Sequence, residues 1–181
     1  MAAVEVKTPD FKLTIGGTSF SGDLKTRVSE IVVEQETNTC SSFKVTLEDS
    51  NNDFSSGKVS IKESMSCIIE LGYVDAEGGT VKVMEGYVTS AEPKQSAGAR
   101  KCYVINGFDY LHKLTESNKR RSWDGIKDSD VASEVAHEHG LKPEIEDSVY
   151  IRNYVSQNNS NNLEFLLERA ARIGYELKSE G

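Results

Sequence analysis

Phe11-Lys12-Leu13-Thr14-Ile15-Gly16-Gly17-Thr18-Ser19-Phe20 carries a complete signal for antiparallel β-structure. Phe11, Leu13 and Ile15 fall on one face of an extended chain, and Lys12 and Thr14 on the other. Gly16-Gly17 supplies the positive φ angles that a two-residue hairpin turn requires, and Thr18 to Phe20 begins the return. The same two-residue period recurs downstream. Phe43, Val45 and Leu47 alternate with Lys44, Thr46 and Glu48, while Cys67, Ile69 and Leu71 form a further apolar face that ends at Gly72. Residues 81–90 and 101–108 read as two more strands around a loop containing Pro93 and Gly98, and residues 28–36 are β-branched enough to be another. Six or seven short strands separated by Gly, Asn, Asp and Ser clusters predict an antiparallel sandwich or barrel, and a barrel has the advantage of removing exposed sheet edges.

After Tyr110 the period lengthens. Val131, Ala132, Val135 and Ala136 form a helical stripe, with Asp128 or Ser129 as the expected N-cap, Gly140 as the left-handed stop, and Pro143 preventing resumption. A second helix is expected from Asn161, where Asn161 and Glu164 have the spacing of a capping box. Leu163, Leu166, Leu167, Ala170 and Ala171 make its inner face, Glu168 and Arg172 pair outside, and Gly174 ends it. Residues 150–157 read as a strand, and Tyr175 to Lys178 as the start of another. The expected fold class is therefore α+β: a β-rich, antiparallel, barrel-like domain over residues 1–112, followed by a smaller α/β domain with two helices over 113–181.

Composition narrows the function classes. The 181 residues are 37% hydrophobic and 28% charged, a globular balance with no low-complexity tract. No apolar run approaches the roughly 18 residues of a membrane span. Met1 to Asp10 has no apolar signal-peptide core, which predicts cytoplasmic synthesis. A net charge of −8 argues against a general nucleic-acid surface. Its unevenness matters more: Lys113, Lys119, Arg120 and Arg121 form a basic run, whereas residues 128–147 hold seven acids against the single Lys142. These faces are either plain solvated surface or complementary surfaces that meet in a neighbouring subunit. Cys40, Cys67 and Cys102 are odd in number and make no zinc-binding spacing, so reduced thiols are expected.

Reaction chemistry is sparse. His137 and His139 lie two residues apart near a helix end, where their directions differ by about 200°, so they cannot clamp a metal and instead read as cationic support for the helix carboxyl end. Glu70 and Glu85 are the only carboxylates in an apolar strand context, and both read as outward-facing. Asp49 to Asp53, Asp75 and Glu77 match no calcium loop. Asn158, Asn159, Asn161 and Asn162 around Ser160 read as turn and capping chemistry. Trp123 stands alone, and Tyr73, Tyr87, Tyr103, Tyr110, Tyr150, Tyr154 and Tyr175 are explained mostly as strand residues. No catalytic, cofactor-binding or metal residue is assigned, and no cofactor is expected.

Three passages carry a family resemblance: Tyr103-Val104-Ile105-Asn106-Gly107-Phe108-Asp109-Tyr110-Leu111-His112-Lys113-Leu114; Ser129 to Ala136 with Gly140-Leu141; and Tyr154-Val155-Ser156-Gln157-Asn158-Asn159 followed by Leu163-Glu164-Phe165-Leu166 and Ala170 to Tyr175. In order and spacing the chain resembles the contractile-tail hub family, which includes phage late control protein D and the N-terminal part of VgrG spike proteins. The resemblance implies a non-enzymatic baseplate-hub protein, part of a virion tail or injection apparatus of the phage or type VI secretion kind. It would form a homotrimer and bind the inner tube protein and the spike, adapting a sixfold tube to a threefold spike. Hub cores of this family are about twice as long and carry a second barrel, so the chain would correspond to the first half of a hub subunit. Two alternatives stand beside it: a stand-alone carbohydrate- or protein-binding module using exposed tyrosines, and a wall hydrolase using Glu70 or Glu85.

Overall fold

The computed structural model describes residues 8–74, 79–95 and 100–179. The chain forms two compact units: Ser41–Asp109 with the chain before Glu36 makes the first, and Glu36–Cys40 with Tyr110–Ser179 the second.

The first unit is one antiparallel sheet. Its strands are β1 (Pro9–Ile15), β2 (Thr18–Ser19), β3 (Val28–Glu34), β4 (Ser42–Glu48), β5 (Ser66–Tyr73), β6 (Thr80–Lys94) and β7 (Cys102–Asp109), with one helical turn, α1 (Asp23–Thr26), ahead of β3. Their spatial order is β2-β1-β5-β6-β7-β4-β3. Gly16 and Gly17 both take positive φ, 57° and 79°, and Ile15 pairs with Thr18, so the two-glycine hairpin is formed. Register shifts at Val28/Glu30, Ile69/Glu70 and Val88/Ser90 mark irregularities of the β-bulge kind. Such bulges increase local twist, and the sheet curls into a half barrel. Among the described residues the two ends of the strand order, β2 and β3, do not pair with each other. The concave face collects the alternating apolar set: Leu13, Ile15, Phe43, Val45, Leu47, Cys67, Ile69, Met84, Val88 and Ile105, with Phe54 stacked on Tyr103 at 5.9 Å. This is the barrel-like antiparallel module that the period-two pattern predicts.

The second unit contains a 3-10 turn (Tyr110–Thr115), β8 (Asn118–Lys127), α2 (Asp128–Glu138), β9 (Ile151–Asn161) and α3 (Asn162–Ile173). β8 and β9 form a two-stranded antiparallel ribbon in which Trp123 faces Val155 and Arg121 faces Gln157. Leu111, Leu114, Val131, Val135, Val155, Leu163, Phe165 and Leu166 make a separate core. The capping box of α3 is present: the Glu164 amide donates to Asn161 Oδ1 at 2.8 Å, and the Asn161 amide donates to Glu164 Oε2 at 3.4 Å. α2 ends with Gly140 at φ 67°; the Gly140 amide donates to the His137 carbonyl and the Leu141 amide to the Ala136 carbonyl, the paired bonds of a Schellman motif.

Several expectations are corrected here. β8 was not foreseen, because Asn-Lys-Arg-Arg-Ser-Trp-Asp-Gly-Ile-Lys offers no apolar alternation; its inward positions are Lys119, Arg121 and Trp123. The expected strand from Tyr175 is not formed; Leu177 instead exchanges two hydrogen bonds with Asn38. The α2 cap position is Lys127, with Asp128 inside the first turn. On α3, Ala171 is exposed and Phe165 takes the inner place, stacked on Trp123 at 5.6 Å.

Candidate functional site

The side chains with chemical potential are almost all committed to holding the fold. Glu70 accepts hydrogen bonds from Thr80 Oγ1 at 2.6 Å and Lys12 Nζ at 3.3 Å. Those bonds, the Thr80 one first, hold its carboxyl below the usual range, the reverse of what a general acid requires. Glu85 pairs with Lys82 at 2.7 Å. Asp75 and Glu77 lie outside the described residues. Asp49, 0% exposed, closes its own loop: the Phe54 amide donates to Oδ1 at 3.0 Å, and the Ser55 amide and hydroxyl donate to Oδ2. Burial pushes its pKa upward, but the bonds from Ser55 and the two amides outweigh that and leave it lowered. Asp53 is held low by Lys58 and then Arg27. Among the described residues no group of three His, Cys, Asp or Glu side chains could hold a metal ion.

Because Asp49, Asp53 and Asp10 all titrate below their ordinary range in the folded chain, their contribution to stability is fully present above about pH 4–5 and is lost as the pH falls through the folded values. Circular-dichroism melts at pH 6, 4 and 3 should show the melting temperature of the first unit falling steeply at the acid end, and Asp53→Asn should flatten that fall. An equal acid fall in the variant would remove Asp53 from the account.

Cys40, Cys67 and Cys102 form no disulfide among the described residues. Cys67 is buried, and burial pushes its thiol up to about 12; Cys40 and Cys102 are half-buried. Thiol labelling at pH 8 should leave Cys67 unreacted until the chain unfolds, and Cys67→Ala should abolish the slow phase.

The basic run and the asparagine cluster converge in the second unit. Strand alternation turns Arg121 inward, away from its neighbour Arg120. Arg121 donates to Gln157 Oε1 at 2.8 Å and to Asn162 Oδ1 at 3.0 Å, pairs with Glu138, and lies 4.8 Å from the Trp123 ring centroid. Gln157 Nε2 donates to the Ser160 carbonyl and to Asn162 Oδ1. His139 Nε2 lies 2.7 Å from Asn162 Nδ2, which joins the His139 ring to this network. Gln157 and Asn162 are each 1% exposed, and no buried side-chain nitrogen or oxygen among the described residues lacks a partner. The network joins β8, β9, α2 and α3 and offers no vacant polar group to a ligand.

What is left uncommitted is surface. In the first unit Leu71, Tyr73, Val74 and Val81 stand exposed near the end of the β5–β6 hairpin; in the second, Ile145, Val149, Tyr150, Ile151 and Tyr154 stand exposed along the approach to β9 and its first turn. The recess in the first unit lined by Ile61, Lys62, Glu63 and Ala91 carries no aromatic side chain. Of the seven tyrosines, Tyr73, Tyr150 and Tyr154 are exposed, while Tyr103 is buried in the core.

A protein-family profile described as the Alg8 N-terminal domain matches residues 5–179. The chain belongs to that family. No curated protein matches this Alg8 N-terminal domain chain. Solved structures do. The 43 kDa tail protein of prophage MuSo2 from Shewanella oneidensis aligns over 92% of this chain and 49% of its own, at 15% identity and a TM-score of 0.65. A tail protein from Neisseria meningitidis MC58 aligns over 92% and 46%, at 15% identity and a TM-score of 0.62. An Escherichia coli protein described as a component of the type VI secretion system, structurally similar to the T4 bacteriophage tail proteins gp27 and gp5, aligns over 92% and 47%, at 14% identity and a TM-score of 0.56. At such identities the shared property is the fold. The Alg8 N-terminal domain chain spans about half the length of these proteins. Among its described residues no helix is long and apolar enough to cross a membrane.

Proposed function

We propose that this chain is a structural part of a contractile injection machine, the first portion of a hub or spike base that adapts a sixfold inner tube to a threefold spike. The observation that supports this reading is the fold itself, shared across 92% of the chain with two tail proteins and a type VI secretion component. The half-barrel fits such a role physically. Among the described residues its sheet ends in β2 and β3, which do not pair with each other, and unpaired strand edges are suited to joining neighbouring subunits. In this reading the protein performs no turnover, self-associates as a homotrimer within a longer hub subunit, contacts inner tube and spike, and resides in a virion tail or injection apparatus.

The test is localisation by an epitope tag on the chain in its native host. Gold-labelled antibody should decorate one end of the inner tube in purified particles, and deletion of the gene should leave tubes without a tip. Label along the whole sheath, or normal particles after deletion, would sink the proposal. Light scattering on this chain and on a version extended to the length of the solved relatives tests the trimer separately: self-association is expected in the longer form.

A further inference from the structure

The segment before β9 is built in an unusual way. The Tyr150 amide donates to the Ser148 carbonyl at 2.6 Å across Val149, whose φ is 61°. A two-residue bond spanning a positive-φ residue is the strained form of γ-turn, and a β-branched residue is badly suited to that region. The turn is held from below. Asp147 Oδ1 accepts from the Val149 amide at 3.2 Å and, with Oδ2, from Lys127 Nζ at 2.9 Å, while Ser148 Oγ accepts from the Ser129 amide at 3.1 Å. These bonds over-determine the loop against β8 and the first turn of α2. Strain of this kind persists where the surroundings enforce it, and it clusters at functional positions.

The anchored turn presents Val149, Tyr150, Ile151 and Tyr154 to solvent at 67, 72, 66 and 61% exposure. Single exposed apolar residues need no explanation, but four within six positions form a patch of the kind that marks interaction sites. The cations beside it are already paired, Lys127 opposite Ile151 with Asp147 and Arg152 with Asp128, so the unpaired charges are acidic. Asp124 lies opposite Tyr154 across the ribbon, and Glu144 and Glu146 precede the turn; none of the three makes an ion pair among the described residues. β9 itself pairs only with β8 among the described residues, which leaves its other backbone edge open to a further strand.

We propose that this surface docks an extended segment of a protein partner in which aliphatic or aromatic residues are flanked by Lys or Arg. The apolar residues cover Tyr150, Ile151 and Tyr154, the cations meet Asp124, Glu144 and Glu146, and the backbone adds to the open edge of β9, as strand-adding recognition does elsewhere. The rigid turn removes ordering cost from the binding step. The assignment stands on this unit alone and holds whether or not the chain serves in an injection machine.

A random 12-residue peptide library selected on the full chain, and counter-selected on the Tyr150→Ser/Ile151→Ser variant, tests it. Recovered peptides are expected to alternate apolar residues between Lys and Arg, to lose at least tenfold in affinity on the variant, and to weaken as salt rises. Acid-rich peptides, peptides that bind the variant equally, or an empty selection would overturn the proposal. So would a wild-type dimer that the variant loses, which would mean a second copy covers the patch. Binding to phosphatidylcholine vesicles lost in the variant would likewise overturn it in favour of a lipid surface. Trp123 fluorescence melts of both proteins confirm that the variant is folded.

Discussion

Asp128→Asn should destabilise the second unit by about 3–5 kcal/mol, the cost found when one partner of a buried ion pair is removed. The Asp128 side chain is 3% exposed and meets two guanidinium groups. Arg152 Nε donates to Oδ2 at 3.0 Å, and Arg169 Nε donates to Oδ1 at 2.6 Å. One carboxylate thereby ties the start of α2 to β9 and α3. An asparagine keeps the shape but loses the charge, and its amide nitrogen sets a donor against a guanidinium. Arg169, 12% exposed, would be left in the interior without its counter-ion. Arg152, at 37%, can turn to water, so Arg152→Met should cost far less, about 1 kcal/mol. The readout is favourable: Trp123, the only tryptophan, packs on Phe165 in this unit. Urea unfolding followed by its fluorescence should show the Asp128→Asn midpoint moved well below wild type. A midpoint equal to that of Arg152→Met would mean that Asp128 behaves as a surface pair.

Asp128 also illustrates why parts of this fold were legible in the residues and others were not. Where burial is achieved by apolar side chains, periodicity reports it: Leu13, Ile15, Phe43, Val45, Leu47, Cys67 and Ile69 fall on the buried face, and the Asn161/Glu164 box and Gly174 bound α3 where expected. Where burial is achieved by paired polar groups, periodicity is silent. Asp128 in a first helical turn reads as a cap, Arg121 in a basic run reads as surface, Gln157 reads as the polar end of a strand and Asn162 as turn or capping chemistry, although all but Arg121 are buried and Arg121 lies half inside. Several of their partners are distant in sequence, 17 residues for Arg121 and Glu138 and 41 for Asp128 and Arg169. β8 was invisible for the same reason, since its inner row is held by that network. The docking surface inverted the usual signal: Val149-Tyr150-Ile151 looks like the beginning of a buried strand, yet Val149 takes a positive φ and all three residues are exposed.

Gly107→Ala should be among the most damaging single changes in the first unit, costing about 3 kcal/mol or more, at or beyond the top of the range for overpacking. Gly107 sits in β7 between β4 and β6, paired with Phe43 on one side and Val88 on the other. A Cβ there would lie 2.2 Å from the Tyr87 carbonyl oxygen and 2.3 Å from Phe43 Cζ. The first obstacle is the backbone of a paired strand, which cannot move without parting the ladder; the second is a core ring only 2% exposed. Phe43→Leu placed in the Gly107→Ala background removes one obstacle and leaves the other. Partial rescue is therefore expected, even though Phe43→Leu alone opens a cavity and destabilises. Trp123 fluorescence follows the second unit, so the loss must be read by far-ultraviolet circular dichroism. A single Gly107→Ala variant melting within about 1 kcal/mol of wild type would show that β7 can shift to admit a methyl group, and the half-barrel would then be softer at its centre than its packing implies.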